Sequence, residues 1–209
     1  MITFTAEALL GVLLVIVLMN IFKRHSEPPR STAPQPDLSN LKPTDARTGD
    51  VISISGAGDN MSDLDFTIDR TASFEAGSRN WTEVSGAYRE RRVAMRVAVE
   101  EEVEVSIHTD ARKLTIEDLG LSEDDLAQMD ERQNTGDSFE FDNRVWLYRL
   151  SREAQSRRDD QPKPTGYYYW EFREQGGKGL LTVRKPEGEP FGVTLYEGIA
   201  AADVTVYRR

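Results

Sequence analysis

From Ile2 to Phe22 the chain reads ITFTAEALLGVLLVIVLMNIF, with Glu7 as its single charge. As a helix this run is about 31 Å long, roughly the thickness of one hydrocarbon core. A backbone in lipid must satisfy its own polar groups, so such a run is read as one transmembrane helix. A buried soluble helix is the alternative, and the length and scarcity of polar side chains argue against it. Lys23, Arg24 and His25 follow at once, whereas no Lys or Arg precedes the run. The positive-inside rule then predicts an outward amino terminus, with everything after Arg24 in the cytoplasm at the inner membrane. A cleaved signal would need a basic start and a small-residue site; Ser31-Thr32-Ala33 lies beyond the basic flank and runs into Pro34. Residues 1–25 are therefore expected to be a single-pass anchor that meets the bilayer through residues 2–22.

Residues 26–47 hold five prolines, Pro28, Pro29, Pro34, Pro36 and Pro43, and predict an extended tether rather than a helix or a sheet interior. The remainder, 48–209, is long enough for one domain with its own core. The whole chain carries a net charge of -10; up to Pro43, four basic residues face three acids, so the chain from Thr44 onward carries -11. Such a domain repels nucleic-acid phosphates, which argues against a nucleic-acid partner, and attracts cations. There is no cysteine, which removes disulfides, thiolate metal sites and cysteine nucleophiles together.

Within 48–209 the dominant pattern is alternation. Every odd position from Val93 to Ile107 except Glu101 is apolar, and the even positions are largely polar or small. That is a strand period with one buried face, broken by Glu100, Glu101 and Glu102, where like charges place a hairpin tip. Val51 to Ile54, Phe66 to Ile68, Phe139 to Phe141, Val145 to Tyr148, Tyr167 to Phe172, Leu180 to Val183, Phe191 to Tyr196 and Val204 to Tyr207 add further strand signals. Gly56 to Asn60, Gly176 to Gly179 and Pro186 to Gly188 read as turns. The charged stretch from Ser151 to Lys163 reads as a loop. One helical window spans 115–131, with Ser122 and Asp125 spaced as a capping box ahead of Leu126 and Met129. The predicted fold is mainly β, an antiparallel sandwich or barrel with one short helical insert. Gly49-Asp50 before Trp81 and Gly136-Asp137 before Trp170 fit either two similar halves or a chance likeness of a few residues.

Chemistry-bearing residues are sparse. His108 sits at a strand end without a Gly-x-Ser-x-Gly elbow anywhere in the chain, so a surface or strand-end histidine is the default and an acid–base role the alternative. Asp59, Asp63, Asp65 and Asp69, and the acids around Glu117 and Asp125, lack calcium-loop spacing and read as solvated charges. No phosphate-cradling loop is present, because Gly176-Gly177-Lys178-Gly179 precedes a strand rather than a helix. No catalytic, metal or cofactor residue is assigned. The most distinctive surface candidate is the aromatic run: in a strand Tyr167, Tyr169 and Glu171 share one face, which could meet a partner or hold an organic cation. Tyr168, Trp170 and Phe172 take the other face, of which Trp170 and Phe172 most simply belong to the core; the tyrosine face is either core as well or an exposed aromatic platform.

From about Leu41 to Tyr207 the chain resembles the bacterial family known as domain of unknown function 4178. The resemblance rests on Thr48-Gly49-Asp50-Val51, Trp81-Thr82-Glu83-Val84, the acid-tipped hairpin Arg92 to Ile107 and the insert Leu114 to Leu121. It continues in Tyr169-Trp170-Glu171-Phe172 and in the stretch from Phe191-Gly192 to Val204-Thr205-Val206. The family has no assigned reaction and implies no site residues. Its members tend to be encoded beside phage-shock-type membrane-stress proteins, small membrane proteins and polyamine-synthesis enzymes. The resemblance and the anchor together lead to the expectation of a membrane-tethered, non-enzymatic interaction domain in a bacterial envelope-stress system, with membrane proteins as partners. The alternatives are a sensor for a cation such as a polyamine, and an enzyme using His108.

Overall fold

The computed structural model describes residues 41–161 and 163–208; the predicted anchor, its flank Lys23 and Arg24, and most of the proline-rich tether lie outside the described residues. Among the described residues no helix is long and apolar enough to cross a membrane. Two strands, β1 (Val51–Ile54) and β2 (Leu64–Thr67), start a small antiparallel sheet. Its third member is the last strand of the chain, β12 (Val204–Tyr207), with Val51 opposite Tyr207.

Between them lie two four-stranded meanders. The first is β3 (Arg70–Ala76), β4 (Arg79–Tyr88), β5 (Arg91–Val99) and β6 (Val103–His108). A short strand, β7 (Ser138–Phe141), leads into the second: β8 (Arg144–Arg158), β9 (Thr165–Glu174), β10 (Gly179–Pro186) and β11 (Gly192–Ile199). The β7–β8 turn is Asp142-Asn143, both at positive φ, which matches the twist of a tight hairpin. Antiparallel pairing of β6 with β11 and of β3 with β8 closes the meanders into an eight-stranded barrel. Of the two architectures expected from the alternation, the barrel is the one formed.

The largest apolar cores lie outside this barrel. Val93, Met95, Val97, Val105 and Ile107, the odd positions of β5 and β6, pack against Ile52, Ile54, Leu64, Phe66 and Val206 of the small sheet. Val99 and Val103 continue the alternation past the core and are exposed beside the acid tip, which falls at Glu100 to Glu102. On the opposite wall Trp146, Trp170, Phe172, Leu181 and Val183 pack under helix α1 (Glu123–Arg132) and the turn before it. Ser122 and Asp125 form the expected capping box; Leu126 and Met129 are the buried face of the helix. The helix is shorter than the predicted window because Ile116 to Gly120 form only a turn, with Gly120 at φ +72°.

Two other expectations are corrected. Most of the run expected to be a loop from Ser151 onward is the second half of β8, which reaches Arg158; its charged side chains belong to a strand whose inward residue Ala154 is buried. Residues 41–47, expected to end the tether, dock on the domain: Leu41 and Ala46 pack on the small-sheet core and Pro43 is buried. The two tryptophans of the internal repeat are also not equivalent. Trp81 belongs to the core inside the barrel, whereas Trp170 Nε1 donates to the Leu126 carbonyl of α1 outside it.

Gly86 marks where the small sheet meets the barrel. A Cβ there would fall 2.1 Å from the backbone oxygen of Thr67. Backbone cannot yield as a flexible side chain does, so Gly86→Ala is expected to destabilise the domain by at least about 2 kcal/mol, read from the urea unfolding midpoint.

Candidate functional site

The barrel lumen follows from the parity of the strands. On β4, β5, β9 and β10 the residues turned away from the two outer cores are Trp81 and Glu83, Arg96 and Ala98, Tyr169 and Glu171, Thr182 and Arg184. They meet across the interior. Arg96 on β5 pairs with Glu171 on β9, and Glu83 on β4 pairs with Arg184 on β10. In the ring of eight strands, three others separate the members of each pair on either side, so each ion pair spans the width of the barrel. An eight-stranded barrel has an interior that side chains can just fill, and here charged and aromatic groups fill much of it.

Glu171 is the most enclosed charge. Its side chain is 1 % exposed, and it accepts from Arg79 Nη1 at 3.0 Å, Arg96 Nη2 at 3.4 Å, Arg173 Nε at 3.3 Å and Tyr169 Oη at 2.9 Å. Burial raises its carboxyl pKa, but Arg96, Arg173 and Arg79, with the tyrosine, outweigh that and hold it below the ordinary range. Glu83 accepts from Trp81 Nε1 and Tyr196 Oη, both at 3.1 Å, besides Arg184. Burial again opposes ionisation there, and Arg184, the Trp81 hydrogen bond and Arg96 win. The guanidinium of Arg96 lies 4.8 Å from the Trp81 ring and that of Arg184 4.6 Å from the Phe74 ring. Desolvation raises the pKa of Tyr169, Tyr196 and Tyr167, so all three stay neutral.

These positions decide between the two readings of the aromatic run, interior or exposed platform, and correct the second. Tyr167, Tyr169 and Glu171 do share a face, but that face is the lumen, and they are 8 %, 0 % and 0 % exposed. They form no exposed aromatic platform. Strand alternation placed them together, and only closure of the barrel decides that their side is the inside. An organic cation would also find Glu171 already held by three guanidinium groups.

The two ends of the barrel differ. At one, Arg79 pairs with Glu100 and Arg173 with Glu104, so ion pairs from the β5–β6 hairpin lie across the mouth. At the other, a recess of about 240 Å³ reaches down to Glu83, Arg184 and Phe74 and is ringed by Arg70, Arg92, Arg158, His108 and Ser85. His108 is half-buried; its Nδ1 lies 2.8 Å from the Leu195 carbonyl, which can only accept, so Nδ1 carries the proton. Sequence reasoning singled out His108 but not its neighbours, which come from β3, β4, β5, β8 and β10.

The acids expected to be solvated charges have structural partners in several cases. Asp59 pairs with Arg89 and Arg91, Asp69 with Arg92, and Asp63 accepts from the Gly56 amide. Asp118 and Asp125 hold the turn and the helix start through Thr115 and Ser122. A polar cluster pins α1 to the barrel: Ser151 Oγ and Tyr168 Oη both donate to Asp130, and burial together with Asp130 lifts the Tyr168 pKa to about 12. Comparison of the chain with known families, curated proteins and solved structures gives no match.

Both lumenal carboxylates have depressed folded-state pKa values. Their contribution to stability is therefore complete above the ordinary glutamate range, near about 4.3, and is lost as pH falls through the lower folded values. Urea unfolding is expected to be flat above about pH 5.5 on their account and to weaken steadily below about pH 4. Glu171→Gln, which leaves Arg96 buried opposite a neutral group, is expected to cost about 3–5 kcal/mol. The double variant Glu171→Leu/Arg96→Met should recover a large part of that in the same assay.

Proposed function

We infer that this chain is a single-pass, membrane-tethered accessory domain of a bacterial envelope-stress system, working by binding rather than by catalysis on the cytoplasmic face of the inner membrane. The apolar run 2–22, the flank Lys23 and Arg24 and the prolines behind it support the tether and its orientation. The observation that carries the non-enzymatic reading is the lumen. The interior of a barrel is a natural place for an active site, and here the chain's own ion pairs occupy it. Glu83 and Glu171 are both held as carboxylates, so neither has the raised pKa of a general acid near neutrality. Among the described residues the His108 ring hydrogen-bonds to no nucleophile, and its Nδ1 is committed to the Leu195 carbonyl.

The cation-sensor alternative is weakened, because Tyr167, Tyr169 and Glu171 are enclosed, and Glu171 is already held by Tyr169 and three guanidinium groups. The resemblance of about Leu41 to Tyr207 to domain of unknown function 4178, read from the residues alone, would fit an accessory role and implies no reaction.

Affinity purification of the full chain from detergent-solubilised membranes is expected to recover a reproducible membrane-associated partner. Repeated recovery of none would count against the accessory role. In spheroplasts, protease added from outside should leave the domain intact until the membrane is broken. Cleavage before lysis would place the domain on the other face.

A further inference from the structure

The half of the barrel that ends in the recess runs against the charge of the domain around it. From Thr44 onward the chain carries -11, yet four arginines line the recess, Arg70, Arg92, Arg158 and Arg184, with His108 beside them. One carboxylate, Glu83, lies at the floor, and its charge is taken up by Arg184, the Trp81 indole and the Tyr196 hydroxyl. Arg92 is paired with Asp69 on the rim. Asp159, next along the chain from Arg158, accepts from Thr48 Oγ1. Arg70 and Arg158 make no ion pair among the described residues, and both are exposed at the mouth.

Arginines brought together from β3, β5, β8 and β10 repel one another, and a fold that only needed solubility would not gather them around one concavity. Planar guanidinium groups match the oxygens of carboxylates and phosphates, which they can hold through paired hydrogen bonds. The floor adds an apolar component: Phe74 and Ala72 line the recess, with the Arg184 guanidinium over the Phe74 ring. The volume, about 240 Å³, equals roughly eight waters' share of the liquid and has room for a small molecule.

We propose that the open end of the barrel binds a small phosphate-bearing ligand: Arg70 and Arg158 engage its anionic oxygens at the mouth, and Phe74 meets its apolar part below. This site is independent of the tether and of any protein partner, so it can stand or fall apart from the accessory role. It also reverses the sign expected of a ligand for so acidic a domain. The phosphate could belong to a soluble metabolite or to a lipid headgroup, and the test separates the two.

Full-length protein in a non-ionic detergent is titrated calorimetrically with phenyl phosphate, with benzylammonium as the cationic counterpart of similar bulk. Saturable one-to-one binding of phenyl phosphate is expected, with none of benzylammonium. Arg70→Gln/Arg158→Gln should weaken it at least tenfold while the thermal midpoint stays at the native value. Arg149→Gln, which removes an exposed charge from β8 outside the recess, should leave it unchanged. Absence of phenyl phosphate binding, equal binding of benzylammonium, or an equal loss in Arg149→Gln would each overturn the proposal. If the arginine pair proves destabilising, the single variants Arg70→Lys and Arg158→Lys serve instead: they keep the charge and lose the fork, and unaltered affinity in both would overturn the arginine assignment. Competition of phosphatidylglycerol bicelles with phenyl phosphate would assign the natural phosphate to a lipid headgroup, and failure to compete would assign it to a soluble ligand; the site stands in either case.

Discussion

Glu171 sits at the centre of the barrel with Arg79, Arg96 and Arg173 around it, and Glu83 and Arg184 repeat the arrangement toward the open end. Charges so enclosed are costly to desolvate and stay ionised because each carboxylate has several donors. Much of the remaining architecture is a consequence. With ionic groups in the lumen, the barrel interior supplies only a modest apolar core of alanines and stacked aromatics such as Phe74 on Trp81. The larger share of burial has to come from the outer walls, and those walls must then be covered. The small sheet covers one, and α1 with its preceding turn covers the other. The chain therefore folds as a barrel wrapped on two sides rather than as a barrel with a water-facing exterior.

The wrapped barrel explains what could be read from the residues alone. Strands whose outer face meets a covering layer alternate cleanly, and the run from Val93 to Ile107 was legible for that reason. Its even positions, Arg96 and Ala98 among them, look like a solvent face in one dimension, yet both are buried. β3 gave little signal because its inward residues are small or lone aromatics among polar ones: Ala72, Phe74 and Ala76. The far half of β8 was hidden by Arg152, Glu153, Gln155, Arg157 and Arg158, which suggest a loop until the barrel supplies a partner strand on each side. The capping box of α1 was legible because it depends on residues three apart.

The candidate site was less legible, for a related reason. Tyr167, Tyr169 and Glu171 were correctly placed on one face, since alternation is local, but inside and outside are decided by closure. The recess gathers Arg70, Arg92, Arg158, Arg184 and His108 from five strands, and no spacing in the sequence announces that set. Net charge was misleading at this scale: the domain total is strongly negative while one concavity on it is lined by arginines. Local potential, set by which side chains converge, governs what a site can bind.

The seam between β3 and β8 has a consequence for how the chain is made. Ser73 and Arg157 pair across it although 84 residues separate them. At ribosomal rates of about 5–20 residues per second, roughly 4–17 s pass between synthesis of the two. From the completion of β6 at His108 until β8 arrives, the first meander has two unpaired edges, since β6 also waits for β11. The nascent chain must spend those seconds with arginines and glutamates not yet paired across the lumen. Their charge keeps the half-made sheet hydrated and discourages edge-to-edge association with its neighbours. The residues that later lock the barrel thus protect it before it exists.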